Sequence, residues 1–198
     1  ISSQTTGSYV SLWRATGQPA QGAIPTSATV CNESTVGGFV IPQQTAPIKS
    51  YLGYLEAAMG NASQTLELHD RLMQMGGLSG TVTTAQTVNL DLDANLTTDY
   101  LADRIGDSDY SDVQWWLEWY TATGSTAVTA TVNVTYSDGS TGNLSAIPLA
   151  ATRPASHMIN LNVYRPAAVT TYVRDVNSVT LSATTGTAGN FGVTATRL

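Results

Sequence analysis

A chain of 198 residues has room for one sizeable hydrophobic core, and only 11% of these residues are charged, so its polar surface rests on hydroxyls and amides. The formal charge of −6 and the single lysine, Lys49, argue against a phosphate-backbone binder, so nucleic acid is not an expected partner. Cys31 stands alone, which excludes an intrachain disulfide and a zinc site built on several thiolates.

Residues 1–47 are rich in Gly and Pro, with apolar islands at Tyr9–Trp13, Ala28–Cys31 and Phe39–Ile41. The start, ISSQTTGSYV, shows neither a basic lead nor an apolar run of signal-peptide length. No stretch of the chain approaches the roughly 20 apolar residues of a membrane span, so no membrane partner is expected. A segment of this composition buries little of its own surface. The expectation is an extended N-terminal arm over 1–47 with short strands that either lies across the main domain or reaches a neighbouring chain; the second is preferred, with Tyr9, Leu12, Trp13, Phe39 and Ile41 as anchors on the partner. The period then changes. Ile48, Tyr51, Leu52, Leu55 and Met59 recur at helical spacing before Gly60 and Asn61, which predicts one short helix near 48–59. Leu66 and Leu68 alternate with Glu67 and His69, predicting a strand to about Asp70. A flexible loop over Gly76–Gly80 and an irregular Thr-rich edge over Val82–Leu90 follow. Residues 91–112 hold seven of the fourteen acidic residues, so they read as a solvated loop or a short helix at Thr98–Ile105.

The densest signal is Val113–Tyr136, VQWWLEWYTATGSTAVTATVNVTY, which predicts two antiparallel strands joined as a hairpin through Gly124. Alternation puts Val113, Trp115, Leu117 and Trp119 on a core face and Gln114, Trp116, Glu118 and Tyr120 on a wetter one. In the second run Val128, Ala130, Val132, Val134 and Tyr136 form the apolar face. Further strands are predicted at Asn143–Ala150, Met158–Tyr164, Ser178–Thr184 and Phe191–Leu198, separated by Gly- and Pro-containing turns. The fold class is mostly β: an antiparallel, jelly-roll-like β-sandwich over 48–198 with one short helix, preceded by the arm.

Chemistry-bearing patterns are sparse. His69 and His157 are far apart and lack the clustering a metal site needs, so no metal and no cofactor are expected. His69-Asp70-Arg71 suggests a charge relay, but consecutive strand residues point to opposite faces. Asp107, Asp109 and Asp112 fall at a spacing that suits calcium, yet the turn lacks the EF-hand glycine and distal Glu and reads first as a solvated acidic turn. Glu118 with Asp112 would serve glycoside hydrolysis only across a groove. Five Asn-x-Ser/Thr sites, at Asn32, Asn61, Asn95, Asn133 and Asn143, are what chance yields in so Asn-, Ser- and Thr-rich a chain. Trp116 and Tyr120 are the two aromatics placed to stack on sugar rings if their face is open. No enzyme is expected.

Several stretches carry a resemblance: SLWRATGQP at 11–19, DRL at 70–72, GLSGTV at 77–82, TAQTVN at 84–89, WLEWYTATG at 116–124 and SVTLSATTGTAGNFGV at 178–193. Together they resemble structural proteins of tailed-phage virions, of the capsid decoration or cement type. These are packing and turn motifs, so the resemblance implies a particle component and carries over no active-site residue. It implies a location on the capsid exterior and, as partners, the major capsid protein and the chain's own copies, with a homotrimer expected from the three-fold sites of a capsid lattice. The alternative within virions is a tail or adsorption protein that binds host surface glycans through Trp116 and Tyr120.

Overall fold

The computed structural model describes residues 8–39, 44–45, 47–48, 54, 56, 65–96 and 103–198. Among them eleven strands form two packed antiparallel sheets, the expected mostly β sandwich. The strands are β1 (Tyr9–Val10), β2 (Thr29–Val30), β3 (Asp70–Leu78), β4 (Gln86–Asp91), β5 (Val113–Trp119), β6 (Val128–Tyr136), β7 (Thr141–Asn143), β8 (Ile147–Leu149), β9 (His157–Asn160), β10 (Val173–Leu181) and β11 (Phe191–Arg197). One sheet runs β1-β9-β5-β11-β3-β2. The other runs β4-β10-β6-β7, with β8 also on β6. A short helix, α1 (Leu92–Asn95), follows β4; the Asp91 carboxylate caps it by accepting from the Ala94 N–H at 2.8 Å. The helix expected near 48–59 lies almost wholly outside the described residues. Of the one expected at Thr98–Ile105, only a helical turn at 103–105 is described.

Alternation along β5 aims Val113, Trp115, Leu117 and Trp119 into the gap between the sheets, where all four are buried, as expected. They meet β11 residue for residue, Trp119 beside Phe191, Leu117 beside Val193 and Trp115 beside Ala195. The apolar faces of β6 and β10 close the core from the other sheet. Trp115 also ties the sheets together, its indole Nε1–H donating to the carbonyl of Val173 on β10 at 2.9 Å.

The expected hairpin does not form. β5 pairs with β9 and β11, whereas β6 pairs with β7, β8 and β10 in the opposite sheet. The two runs each have a fully apolar inner face, and facing one another across the core buries both at once. The connection 120–127 is longer than the roughly 2–5 residues of a hairpin loop and crosses from sheet to sheet. It is pinned there by Thr123 N–H to the Arg153 carbonyl, Thr152 N–H to the Gly124 carbonyl and Thr126 N–H to the Thr185 carbonyl. A second correction concerns the expected Gly76–Gly80 loop, whose first half is strand: β3 continues through Gly76 and Gly77. A Cβ on Gly76 would sit 2.3 Å from the Pro25 carbonyl and 2.9 Å from the Tyr120 ring, so glycine marks a close approach there.

That approach is made by the arm. β1 pairs with β9 at one edge of the six-stranded sheet and β2 with β3 at the other, so residues 11–28 cross the sheet's outer face. Five strand spacings of about 4.8 Å need only about seven extended residues. The spare length folds into a loop around Trp13, where Gly22 N–H donates to the Trp13 carbonyl at 2.8 Å and Trp13 Nε1–H to the Ala23 carbonyl at 2.9 Å. The described arm therefore belongs to its own sandwich, contributing two strands to it, where a partner chain was the expected surface. It also pairs both edges of a sheet that would otherwise present open backbone groups.

Candidate functional site

Between the arm and the six-stranded sheet lies a second, smaller core. Its apolar members Trp13, Cys31, Trp116 and Tyr120 are buried, yet stand apart from the cluster between the sheets. Its centre is ionic. Arg71 on β3 reaches across β11 to Glu118 on β5, with 2.6 Å from Nη2 to Oε2. The same carboxylate oxygen accepts from Thr194 Oγ1–H at 2.7 Å and from the Tyr120 hydroxyl at 3.4 Å. Arg71 Nε–H donates to Gln74 Oε1 at 2.7 Å, and the guanidinium lies 4.3 Å from the centre of the Trp13 ring. Burial alone would raise the Glu118 pKa, but the Arg71 charge together with hydrogen bonds from Arg71, Thr194 and Ser11 outweighs it and holds the carboxyl below its usual range. The same pair in reverse holds Arg71 charged against burial. Burial and the neighbouring Glu118 carboxylate push the Tyr120 phenol up, so it remains a neutral donor.

This arrangement works as a clamp. A charge pair with this many partners is costly to open by one side only, because the remaining ion would be left buried and unpaired. Trp13 closes the pair from above, and Gly22 is what lets it do so: a Cβ there would lie 2.2 Å from the indole.

The residues singled out in the sequence fall in different places. Trp13 faces inward and is buried against Arg71, so it is not displayed to a partner. Tyr9 is 49% exposed, with its ring edge-on to Trp116 at 5.0 Å between centroids. Leu12 and Phe39 point to solvent at 53% and 66% exposure, and Val36 joins them. Ile41 lies outside the described residues. Trp116 and Tyr120 are 3% and 4% exposed, which corrects the expectation that their face is wet. The arm covers them, and Trp116 Nε1–H donates to Thr196 Oγ1 at 2.9 Å. Neither can stack on a sugar while the arm is in place.

The other constellations separate. In His69-Asp70-Arg71, His69 contacts Thr196 and Glu67, Asp70 forms a two-pronged pair with Arg104, and Arg71 goes to Glu118. Glu118 is enclosed, and Asp112 sits by Arg197 at 3.6 Å. In the acidic turn, Asp109 Oδ1 accepts from Ser111 N–H at 2.8 Å and Asp112 Oδ2 from Asp107 N–H at 3.3 Å, so the carboxylates bind their own backbone. Among the described residues no three His, Cys, Asp or Glu side chains come together as metal ligands.

Sequence reasoning missed the roles of Arg71, Gln74 and Thr194. A signal was present: large aromatics on both faces of β5 mark a strand covered on both sides. No family model, curated protein or solved structure matches this chain.

Proposed function

We propose that this chain is a structural, non-catalytic protein of a tailed-phage virion, which decorates the capsid exterior as a cement protein. Its partners are the major capsid protein and its own copies, arranged as a trimer on a three-fold site of the lattice. The observation that carries the reading is how the arm divides its apolar side chains. Trp13 turns inward and fastens the strap to the sheet, while Leu12 beside it, and Val36 and Phe39 in the arm beyond β2, are exposed to solvent. Apolar side chains fixed in the open on an anchored segment suit a surface that adds area on a neighbour, and symmetric copies multiply weak contacts into a durable shell. The virion resemblance of 11–19 falls on the same strap.

The experiment is binding to capsids that lack the protein, followed by heating of the particles. Native protein should saturate the capsids and raise the temperature at which they release their contents. A Leu12→Ser/Phe39→Ser variant should keep its own melting temperature. Losing two side chains that each contribute on the order of 1.5–3 kcal/mol on burial, it should bind at least tenfold more weakly. A native protein with no affinity for capsids would sink the reading. Binding by the double variant as tight as native would move the contact away from the arm.

A further inference from the structure

A cleft of about 240 Å³ opens beside β1, where Ser8 and Tyr9 of the arm face β9 and the 3-10 turn Asn162–Tyr164. Arg153, His157, Val163 and Tyr164 line it together with Met158 and Asn160. Arg153 arrives from the loop before β9, its backbone locked to Thr123 on both sides: Arg153 N–H donates to Thr123 Oγ1 at 2.7 Å and Thr123 N–H to the Arg153 carbonyl at 2.9 Å. Its position is therefore set by the sheet-to-sheet crossing, and the guanidinium is delivered to the cleft.

That guanidinium is half-buried, and its surroundings differ from those of the other half-buried arginines. Arg71, Arg104, Arg174 and Arg197 each have a carboxylate partner, while Arg14 and Arg165 donate to the carbonyls of Gly22 and Thr171. Arg153 has none among the described residues: Nη1 donates to the His157 ring and Nε is buried without a hydrogen-bond partner. His157 is itself buried against Trp119 and can accept from Arg153 only as the neutral ring. Burial followed by Arg153 pushes its pKa down to about 4, in keeping with that. Burial likewise lowers the Arg153 pKa. A half-buried guanidinium with an enclosed, unbonded Nε and no anion costs stability, and the protein keeps it on the wall of an open cleft.

We propose that this cleft is a binding site for a single carboxylate, received by the Arg153 guanidinium with Tyr9, Val163 and Tyr164 packing around the carbon chain that bears it. Arginine is the residue suited to carboxylates, since its planar array of donors matches their two oxygens. The volume is below that of a drug-sized site and suits one acidic side chain or one small organic acid. With a chain of net charge −6, a polyanion would be repelled, whereas a single carboxylate carries too little charge to be excluded from an open cleft that holds a guanidinium. The inference does not rest on the virion reading.

The probe is sodium acetate, titrated against the ring resonances of His157, with sodium chloride at equal ionic strength as the control. Acetate should shift those resonances saturably and chloride should not. Arg153→Met should abolish the saturation, and Arg153→Lys should weaken it at least tenfold. Arg153→Met should also melt no lower than the native protein, since it removes a half-buried charge that has no carboxylate partner among the described residues. Sedimentation in the presence and absence of acetate then identifies the source. Dissociation of oligomers by acetate assigns the carboxylate to a neighbouring copy, and unchanged oligomers assign it to another partner or a free acid; both outcomes uphold the site. A drift without saturation, an equal response to chloride, or an unchanged response in Arg153→Met overturns it. Should Arg153→Met not fold, the native titration against chloride and the Arg153→Lys arm decide the matter.

Discussion

At the scale of single residues, the enclosed pair Arg71–Glu118 and the enclosed His157 make opposite demands on charge. Arg71→Met or Glu118→Gln alone leaves a partner buried without compensation, and each should cost about 3–5 kcal/mol in urea unfolding. An Arg71→Met/Glu118→Leu double variant should recover much of that loss, because well-packed apolar groups replace a buried pair at little net cost. Additive losses in the double variant would show that the pair is not coupled. His157 bears on acid stability. Its folded pKa is depressed to about 4, below the ordinary value near 6.5, so the unfolded chain takes up the proton first. Its contribution is present in full above about pH 6.5 and is lost progressively as pH falls toward 4. In His157→Gln that part of the pH–stability curve should flatten, which urea midpoints measured across the window will show.

At the scale of elements, the strap is held chiefly by Trp13, with β1 and β2 as short hems at either edge. Trp13→Ala should weaken the attachment of the strap to the sheet by roughly 3–5 kcal/mol. Limited proteolysis within 11–28 should then quicken, while the amides of β5 and β11 stay protected in hydrogen exchange. Protease resistance equal to native would mean that Trp13 is not the fastener. The elements themselves were partly legible in the sequence. The inward facing of Trp115 and Trp119 followed from period-2 alternation, which is local. Of the strands expected after 140, Phe191–Leu198 matches β11, whereas Asn143–Ala150 takes in only the end of β7 before β8, Met158–Tyr164 ends in a 3-10 turn, and β10 begins five residues ahead of Ser178. The pairing of β5 with β11 was not legible, since alternation names a face and not a neighbour, and residues 117 and 193 meet only through the whole topology. The candidate sites fared likewise. Apolar anchors could be named on the arm, but whether each turned inward or outward depended on a sheet far along the chain.

At the scale of the molecule, the strap makes the N-terminal segment part of the fold. Deleting residues 1–39 would uncover Trp116, Tyr120 and the Arg71–Glu118 pair together and reopen both edges of the six-stranded sheet. The expected product aggregates or binds ANS and lacks a cooperative melt. A soluble, sharply melting deletion variant would show that the sandwich stands without its strap. The same sheet order has a consequence for synthesis. β11, the strand between β5 and β3, ends at Arg197, and β1 can pair only after β9 has been made. The five-stranded sheet has all its strands by Leu181, whereas the six-stranded sheet cannot assemble until β11, at Phe191–Arg197, has left the ribosome. The arm, made before every strand that it crosses, is thus among the last segments to find its place, and throughout that wait the nascent arm and its tryptophan stand open to chaperones and to other chains.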